Sequence, residues 1–199
     1  FCDATLDDLT HEFKSKSALE VFPTSHLLVP SDFYSHKENI KVVVFYRQPK
    51  FILPAYSAFI YRLIIRALPL RYKFKFSDDI PNTCIFCQEV ETYKHFILDC
   101  HYTRACWSPF KSMTRYLNFT WPTTMEQIFF SPIELQDNDL QAGFNLVWPI
   151  FLSCIWYTIW KTRCDRIYRP DLPNKTPMMI SIVAGHIIKR HLYQLIRAS

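Results

Sequence analysis

The stretch Thr83–Cys100, TCIFCQEVETYKHFILDC, contains three cysteines and one histidine within eighteen residues. Cys84 and Cys87 are separated by two residues. His95 and Cys100 follow, so that the full pattern is C-x2-C-x7-H-x4-C. A C-x2-C turn directs two thiolates toward one metal ion, and an imidazole and a third thiolate complete a tetrahedral set. The spacing therefore predicts a structural zinc site, because four protein ligands leave no open position for catalytic water.

The residues around His95 predict how this ligand is held. Thr92 is placed to cap a short helix that begins at Tyr93, so that His95 occupies the third helical position. Because Cys100 lies five residues beyond His95, a regular helix would turn the two side chains away from each other. We therefore expect the helix to end or distort near Asp99.

Two alternatives to this ligand set are open. His101 could replace Cys100 as the fourth ligand, giving H-x5-H, and the cluster members could be buried free cysteines. An odd number of cysteines, seven, and an N-terminus without an apolar leader favour a reducing compartment, nuclear or cytoplasmic, where clustered cysteines indicate metal before disulfides. The other cysteines are expected to lie in the core or on the surface: Cys2, Cys106, Cys154 and Cys164.

The composition is that of a globular chain that can bury a core. Of its 199 residues, 49% are hydrophobic, 17% aromatic and 21% charged. Only two glycines occur, so neither a GxGxxG dinucleotide loop nor a P-loop can be built. The chain begins at Phe1, and we expect it to be a fragment or the tail of a longer protein.

The net charge of +5 is distributed unevenly. No acidic residue occurs between Lys41 and Ser77, whereas nine of the eighteen acidic residues fall between Asp78 and Asp139, and the chain is basic again after Lys161. Such segregation predicts a surface that binds polyanions, with an ordinary solvated face as the alternative. The cations expected to contact nucleic-acid phosphates are Arg62, Arg66, Arg71, Lys73 and Lys75.

The secondary structure is expected to be mainly helical, with short strands at 41–48 and 71–76. A helix is predicted over 55–68, with Arg62 and Arg66 on one face, and a second over 102–117, with a bend at Pro109. A short helix is expected after a Thr124 cap. Two further helices are predicted over 141–168 and from Pro177 onward, the last one behind a Thr cap. Tyr72, Phe74 and Phe76 either stack on exposed bases or fill the core.

The chain is predicted to contain three parts. These are a poorly assigned N-terminal segment, 1–46, a zinc-binding domain with a basic helix, 47–120, and a C-terminal helical region, 121–199. Ala142–Trp160 carries no charge and is long enough to span a membrane. Because this run contains Asn145 and other polar residues and continues into a charged helix, a buried core helix is favoured and a membrane is not expected.

The segment CIFCQEVETYKHFILDCHYTRACW, 84–107, resembles the zinc-binding region that follows the polymerase domain of non-LTR (LINE-type) retrotransposon reverse transcriptases. That family has the pattern C-x2-C-x3-E-T-x2-H-x4-C, followed by a tryptophan at the end of the next helix. The matching residues are Cys84, Cys87, Glu91, Thr92, His95, Cys100 and Trp107. The flanking stretches PKFILPAYSAFIYRLIIRALPLRYKF, 49–74, and IWKTRCDRIY, 159–168, are also similar. The chain departs from the family at Gln88, where a glycine is usual, and at Cys164, where an asparagine is usual.

The resemblance implies a nucleic-acid-associated, non-catalytic module from the C-terminal part of a reverse transcriptase. Its expected cofactor is Zn²⁺, and its expected partners are RNA or DNA and the upstream reverse transcriptase domain of the same polyprotein, without a small-molecule substrate. The role implied is to help hold template RNA or target DNA. The alternative is a protein-interaction module that docks on a polymerase without contacting nucleic acid.

Two catalytic interpretations are disfavoured. The run Phe76–Asp79 resembles the F-x-D-D turn that binds catalytic metal ions in a polymerase palm. No other palm element accompanies it, so a loop is expected there. An enzyme with a cysteine nucleophile and His95 as base is disfavoured because a filled metal site would use both groups.

Overall fold

The computed structural model describes residues 52–74, 76, 80–129 and 133–198. Several sequence predictions lie outside these residues and stay predictions. They are the N-terminal segment, the strand at 41–48, the phosphate contact of Lys75, and the loop assignment of Asp78 and Asp79.

The described chain is mainly α-helical, as predicted. Its α-helices are α1 (Pro54–Ile64), α2 (His101–Trp107), α3 (Met113–Leu117), α4 (Met125–Phe129), α5 (Asn138–Tyr168) and α6 (Pro177–Ala198). Arg71–Phe74 and Ser108–Ser112 are 3-10 helices, and His95–Asp99 is a π-helix. Within the described ranges, β-pairing is limited to one antiparallel bridge between Thr83 and Val90. The short strands that we expected are therefore not found in these ranges.

Helix α1 ends earlier than predicted. Pro54 stands in its first turn, where the missing N–H costs nothing. At the other end the Ala67 N–H donates to the Arg62 carbonyl at 2.7 Å, and the Arg66 N–H donates to Leu63 at 3.2 Å. This pair of bonds is a Schellman motif, and it places Arg66 in the left-handed region with φ 54°. The prediction that Arg62 and Arg66 share one helical face is therefore wrong.

The predicted strand at 71–76 is also wrong over its described part. Arg71–Phe74 forms a 3-10 turn instead, closed by the Lys73 N–H donating to the Leu70 carbonyl at 3.0 Å. The alternation of basic and aromatic residues suggested a strand, but no neighbouring strand is present in the described ranges to pair with it. Tyr72 instead packs edge-on against Tyr93, with ring centroids 6.1 Å apart.

The other helix boundaries follow local rules that the sequence contains. The helix predicted over 102–117 is divided, since the chain passes from α2 to α3 through a 3-10 helix with Pro109 in its first turn. Thr124 Oγ1 accepts the Gln127 N–H at 3.1 Å ahead of α4. Thr176 Oγ1 accepts the Met179 N–H at 3.3 Å ahead of α6. The predicted caps at both helices are thus confirmed.

A core rich in aromatic side chains holds the helices together. Helix α5 packs against both α1 and α6, and α2 packs against α6. The Trp107 ring of α2 lies 5.2 Å from that of Trp156 in α5, an edge-on arrangement that contributes beyond simple burial. Because buried residues from both sides of residue 120 belong to this one core, the predicted zinc-binding and C-terminal parts share their interior. The division at 120 itself stays a prediction.

Helix α5 is long and apolar enough to cross a membrane, judged by length and composition only. In the structure, 56% of its most apolar 18-residue window is buried inside the chain. Near its C-terminal end Arg163 and Asp165 are buried as well, each with a charged partner. This burial favours the interpretation of α5 as a core helix.

Candidate metal centre

The four predicted ligands converge on one point. Cys84 Sγ, Cys87 Sγ, the His95 imidazole and Cys100 Sγ all place a ligand atom within 4.8 Å of one another. Three of the residues are buried, and Cys87 is half-buried. His101, the alternative fourth ligand, is exposed and is not a member of this cluster.

The distances fit a tetrahedral ion. Cys100 Sγ lies 3.9 Å from both Cys84 Sγ and Cys87 Sγ, and Cys87 Sγ lies 3.1 Å from His95 Nε2. Zinc–sulfur bonds of about 2.3 Å at tetrahedral angles require sulfur–sulfur separations of about 3.8 Å, and sulfur–nitrogen separations of about 3.5 Å. The chain thus presents three thiolates and one imidazole at separations compatible with a bound metal ion.

A π-helical turn brings His95 and Cys100 together, although they are five residues apart and would face different directions on a regular α-helix. The Cys100 N–H donates to the His95 carbonyl at 2.8 Å, five residues back, so the turn is wider than an α-helical one. His95 and Cys100 can then face the same point. The preceding turn begins as predicted, with Thr92 Oγ1 accepting the His95 N–H at 3.0 Å. The expected distortion before Cys100 is therefore confirmed.

The C-x2-C segment is a tight turn that closes on itself. The Gln88 N–H donates to the Cys84 carbonyl at 3.0 Å, and the Cys84 N–H donates to the Glu89 carbonyl at 2.6 Å. Gln88 has φ 68°, in the left-handed region that glycine adopts without strain. This conformation gives a physical reason for the glycine that the resembled family carries at the position of Gln88.

Surrounding groups favour a thiolate at Cys100, whereas burial raises the pKa of Cys87. The Phe86 N–H donates to Cys84 Sγ at 3.4 Å. The hydrogen bond from the Cys84 thiol, with amides at the start of α2, lowers the pKa of Cys100 to about 5, whereas the same bond raises the pKa of Cys84. On the outer side, His95 Nδ1 lies 3.7 Å from the exposed Glu89 carboxylate, so Nε2 is the ring nitrogen that faces the cysteine sulfurs.

A buried ion pair joins the metal centre to helix α5. Arg163 Nε and Nη2 donate to Glu91 Oε1 and Oε2 at 2.6 and 2.5 Å, and both side chains are at most 2% exposed. Glu91 also accepts the Arg71 N–H at 2.7 Å. Burial lowers the pKa of Arg163, and the hydrogen bond and charge of Glu91 more than offset this, so the guanidinium stays charged. The pairing gives Glu91 and Arg163, both within the stretches that resemble the family, a shared structural role.

The cations predicted to bind nucleic acid are placed differently from one another. Arg62 and Lys73 are exposed, whereas Arg66 and Arg71 are half-buried. The Arg71 guanidinium donates to the Thr83 carbonyl at 2.9 Å, and Lys73 Nζ donates to the Arg66 carbonyl. Partial burial and the charge of Arg66 lower the pKa of Lys73. Arg62 and Lys73 are thus the best placed of the described four to meet a phosphate.

Three exposed cations that the sequence analysis did not single out follow the metal centre, namely Arg104, Lys111 and Arg115. They were missed because the whole stretch Asp78–Asp139 was treated as acidic. A shorter window would have revealed them, since no acidic residue occurs from Cys100 to Met125.

A second cysteine and histidine meet elsewhere in the core, but they do not form a metal cluster. Cys154 Sγ lies 3.6 Å from His191 Nδ1, and both residues are fully buried. The imidazole is occupied by the backbone, with Nδ1 2.9 Å from the Ile187 carbonyl and Nε2 accepting the Leu53 N–H at 3.4 Å. His191 is therefore a hydrogen-bonded core residue.

The Thr92 cap gives a testable stability effect. We expect Thr92→Ala to lower the free energy of unfolding by about 1 kcal/mol, because the His95 N–H loses its acceptor. Urea unfolding in the presence of Zn²⁺ measures the change. Thr120→Ala is the matched control, since Thr120 is exposed in the loop after α3. Equal losses in the two variants would show that the cap does not stabilise the ligand turn.

No protein-family model, no curated protein and no solved structure matches this chain. The resemblance to the retrotransposon family therefore stands on the motif residues alone. What the geometry shows is a Cys3His cluster that can hold a metal ion, in a mainly helical chain.

Proposed function

We propose that this chain is a zinc-stabilised nucleic-acid-binding module from the C-terminal part of a retrotransposon reverse transcriptase, which helps hold template RNA or target DNA. The observation that carries the proposal is the convergence of four ligand atoms within 4.8 Å, in the spacing C-x2-C-x7-H-x4-C. Three thiolates and one imidazole in a tetrahedral arrangement favour zinc over magnesium or calcium, which prefer oxygen ligands.

The role proposed for the metal is structural. Its four ligands come from the C-x2-C turn, the π-turn and the residue that precedes α2, so one ion would tie three short segments together. With four protein ligands no position is left for water or substrate, and the module itself is proposed to be non-catalytic.

The nucleic-acid role is supported by charge. Residues 52–74 and 76 contain no acidic residue, and Arg62 and Lys73 present exposed cations there. Phe74 and Phe76 are 39% and 88% exposed beside Lys73, as residues that stack on bases would be. Tyr72, which packs against Tyr93, is a core contact instead.

Salt-dependent binding tests this proposal. We expect the zinc-loaded chain to bind single-stranded RNA or DNA with an affinity that falls steeply as NaCl rises, measured by fluorescence anisotropy. The variant Arg62→Gln/Lys73→Gln should reduce the slope of log K against log salt by about 1.4, since each phosphate contact on a single strand contributes about 0.7. Lys94→Gln is the control, because Lys94 already pairs with Asp99 at 2.9 Å. No binding by the unmodified chain at low salt would contradict the proposal.

The second candidate function is a protein-interaction module that docks on a polymerase. Helix α5, the apolar segment first considered for this, is largely occupied by the chain's own core. The observation that supports this second candidate is the apolar surface on the first half of α6. Its exposed side chains are Met178, Met179, Ile182 and Val183. Absence of nucleic-acid binding in the salt titration would favour this candidate.

A further inference from the structure

The segment from α2 to α3 has one inward and one outward face along its whole length. Its inward positions are buried or half-buried: Tyr102, Thr103, Cys106, Trp107, Phe110, Met113, Thr114 and Leu117. Its outward positions are all exposed: His101, Arg104, Ala105, Ser108, Pro109, Lys111, Ser112, Arg115 and Tyr116. The 3-10 helix around Pro109 therefore does not interrupt the outward face, which we call the α2–α3 ridge.

The ridge carries positive charge and no negative charge. Arg104, Lys111 and Arg115 project from it, and no ion pair joins any of them to a carboxylate of the described residues. The Lys111 ammonium lies 5.8 Å from the Trp121 ring centroid, a contact that leaves it at the surface. Three exposed cations without an acidic partner among the described residues make this ridge suited to a polyanion.

The dimensions suit a nucleic-acid backbone. Rises of about 1.5 Å per α-helical residue and about 2.0 Å per 3-10 residue place Arg104 and Arg115 roughly 19 Å apart along the ridge. A stacked strand carries one phosphate about every 3.4 Å, so roughly five phosphates span that length. One end of the ridge, at His101, directly follows the metal ligand Cys100, so the bound metal would hold the ridge in place.

The other end of the ridge offers an aromatic ring and then changes charge. Tyr116 is 85% exposed, next to Arg115. Tyr116 also lines a groove together with Asn118, Asp137 and Asp139, and the carboxylates of Asp137 and Asp139 would repel a phosphate there. A ring beside a cation is the arrangement on which the unpaired base of a single strand stacks, whereas the bases of a duplex are not available to it.

We propose that the α2–α3 ridge binds single-stranded nucleic acid, with Arg104, Lys111 and Arg115 on the phosphates and Tyr116 stacked on a base. This inference rests on the proposed function and assigns the binding to residues other than Arg62 and Lys73. It requires no base-specific contact, so binding along the ridge tolerates changes of sequence.

The test compares charge-matched variants of the full chain, loaded with Zn²⁺, on a fluorescein-labelled 12-nucleotide single strand. We expect Arg104→Gln/Lys111→Gln/Arg115→Gln to reduce the slope of log K against log salt by about 2, at about 0.7 per phosphate contact. The control carries three substitutions at exposed cations elsewhere and loses the same charge: Lys161→Gln, Lys189→Gln and Arg190→Gln. Its slope is expected to stay near that of the unmodified chain.

Two further measurements need no loss of charge. Ultraviolet crosslinking of the bound strand to the unmodified chain, mapped by mass spectrometry, should mark Tyr116, and Tyr116→Ala should remove that crosslink. An unlabelled duplex should compete less well than an unlabelled single strand of the same length.

The outcomes separate the ridge from the proposed function. Two results would overturn the ridge proposal while the proposed function stands, provided that the unmodified chain binds. In the first, the ridge variant keeps the salt slope of the unmodified chain. In the second, the slope of the charge-matched control falls as much as that of the ridge variant. Crosslinks confined to residues outside the ridge, or a preference for duplex, would also overturn it. If the unmodified chain binds no nucleic acid, both proposals fall.

Discussion

Cys87→Ala is expected to abolish zinc binding and to leave the segment 83–107 unfolded at 25 °C. The apparent free energy of zinc binding in small structural sites is about 10–16 kcal/mol, which is as large as the whole stability of an ordinary domain. Phe96 and Trp107 also pack this segment on the core. The C-x2-C turn has few other supports, since it includes a strained Gln88 and its Phe86 and Cys87 are only half-buried. Hydrogen exchange with mass spectrometry should show rapid exchange of this segment.

The matched control is Cys106→Ala, which removes a fully buried thiol close to the cluster but outside it. It should keep zinc and lose about 1 kcal/mol, the cost of a small cavity. Chelation of the unmodified chain should reproduce the Cys87→Ala exchange pattern. A chelated chain with unchanged protection over 83–107 would show that the cluster does not need a metal.

Arg163→Met is expected to cost about 3–5 kcal/mol, because it leaves the Glu91 carboxylate buried without its counter-charge. Glu91→Gln should cost a similar amount, because it leaves the Arg163 guanidinium buried without its counter-charge. The double variant Glu91→Gln/Arg163→Met should lose clearly less than the sum, since no buried charge remains and the amide oxygen that replaces the carboxylate can still accept the Arg71 N–H. Urea unfolding in excess Zn²⁺ measures all three.

The control for this pair is Lys94→Ala, which breaks the exposed contact with Asp99. The two side chains are 71% and 46% exposed, so we expect a change below about 0.5 kcal/mol. Additive losses in the Glu91 and Arg163 double variant would mean that the two residues act independently, and that the link from the metal centre to α5 is not an ion pair.

The ligand set and its immediate supports were accessible from the sequence because they obey local rules. The x2 spacing, the Thr92 cap and the five-residue separation of His95 from Cys100 each predict a feature within one turn of the chain. Even the π-turn follows from them, as the distortion needed to bring Cys100 back toward His95. The change from α-helix to 3-10 helix at Pro109 is local in the same sense.

The misses have physical causes that short patterns do not contain. Alternating charge and aromaticity at 71–76 suggested a strand, but a strand needs a neighbour, and Tyr72 packs on Tyr93 instead. The pairing of Glu91 with Arg163 joins residues 72 positions apart, and only the packing of α5 brings them together. The α2–α3 ridge was hidden because charge was summed over a long stretch rather than over one helical face.

The most direct test of the central claim is X-ray absorption at the zinc K-edge on the purified chain. We predict about one zinc per chain, with three sulfur neighbours at about 2.3 Å and one nitrogen neighbour at about 2.0 Å. A folded chain without zinc, or a zinc shell made of oxygen with fewer than three sulfurs, would contradict the assignment of Cys84, Cys87, His95 and Cys100 as its ligands.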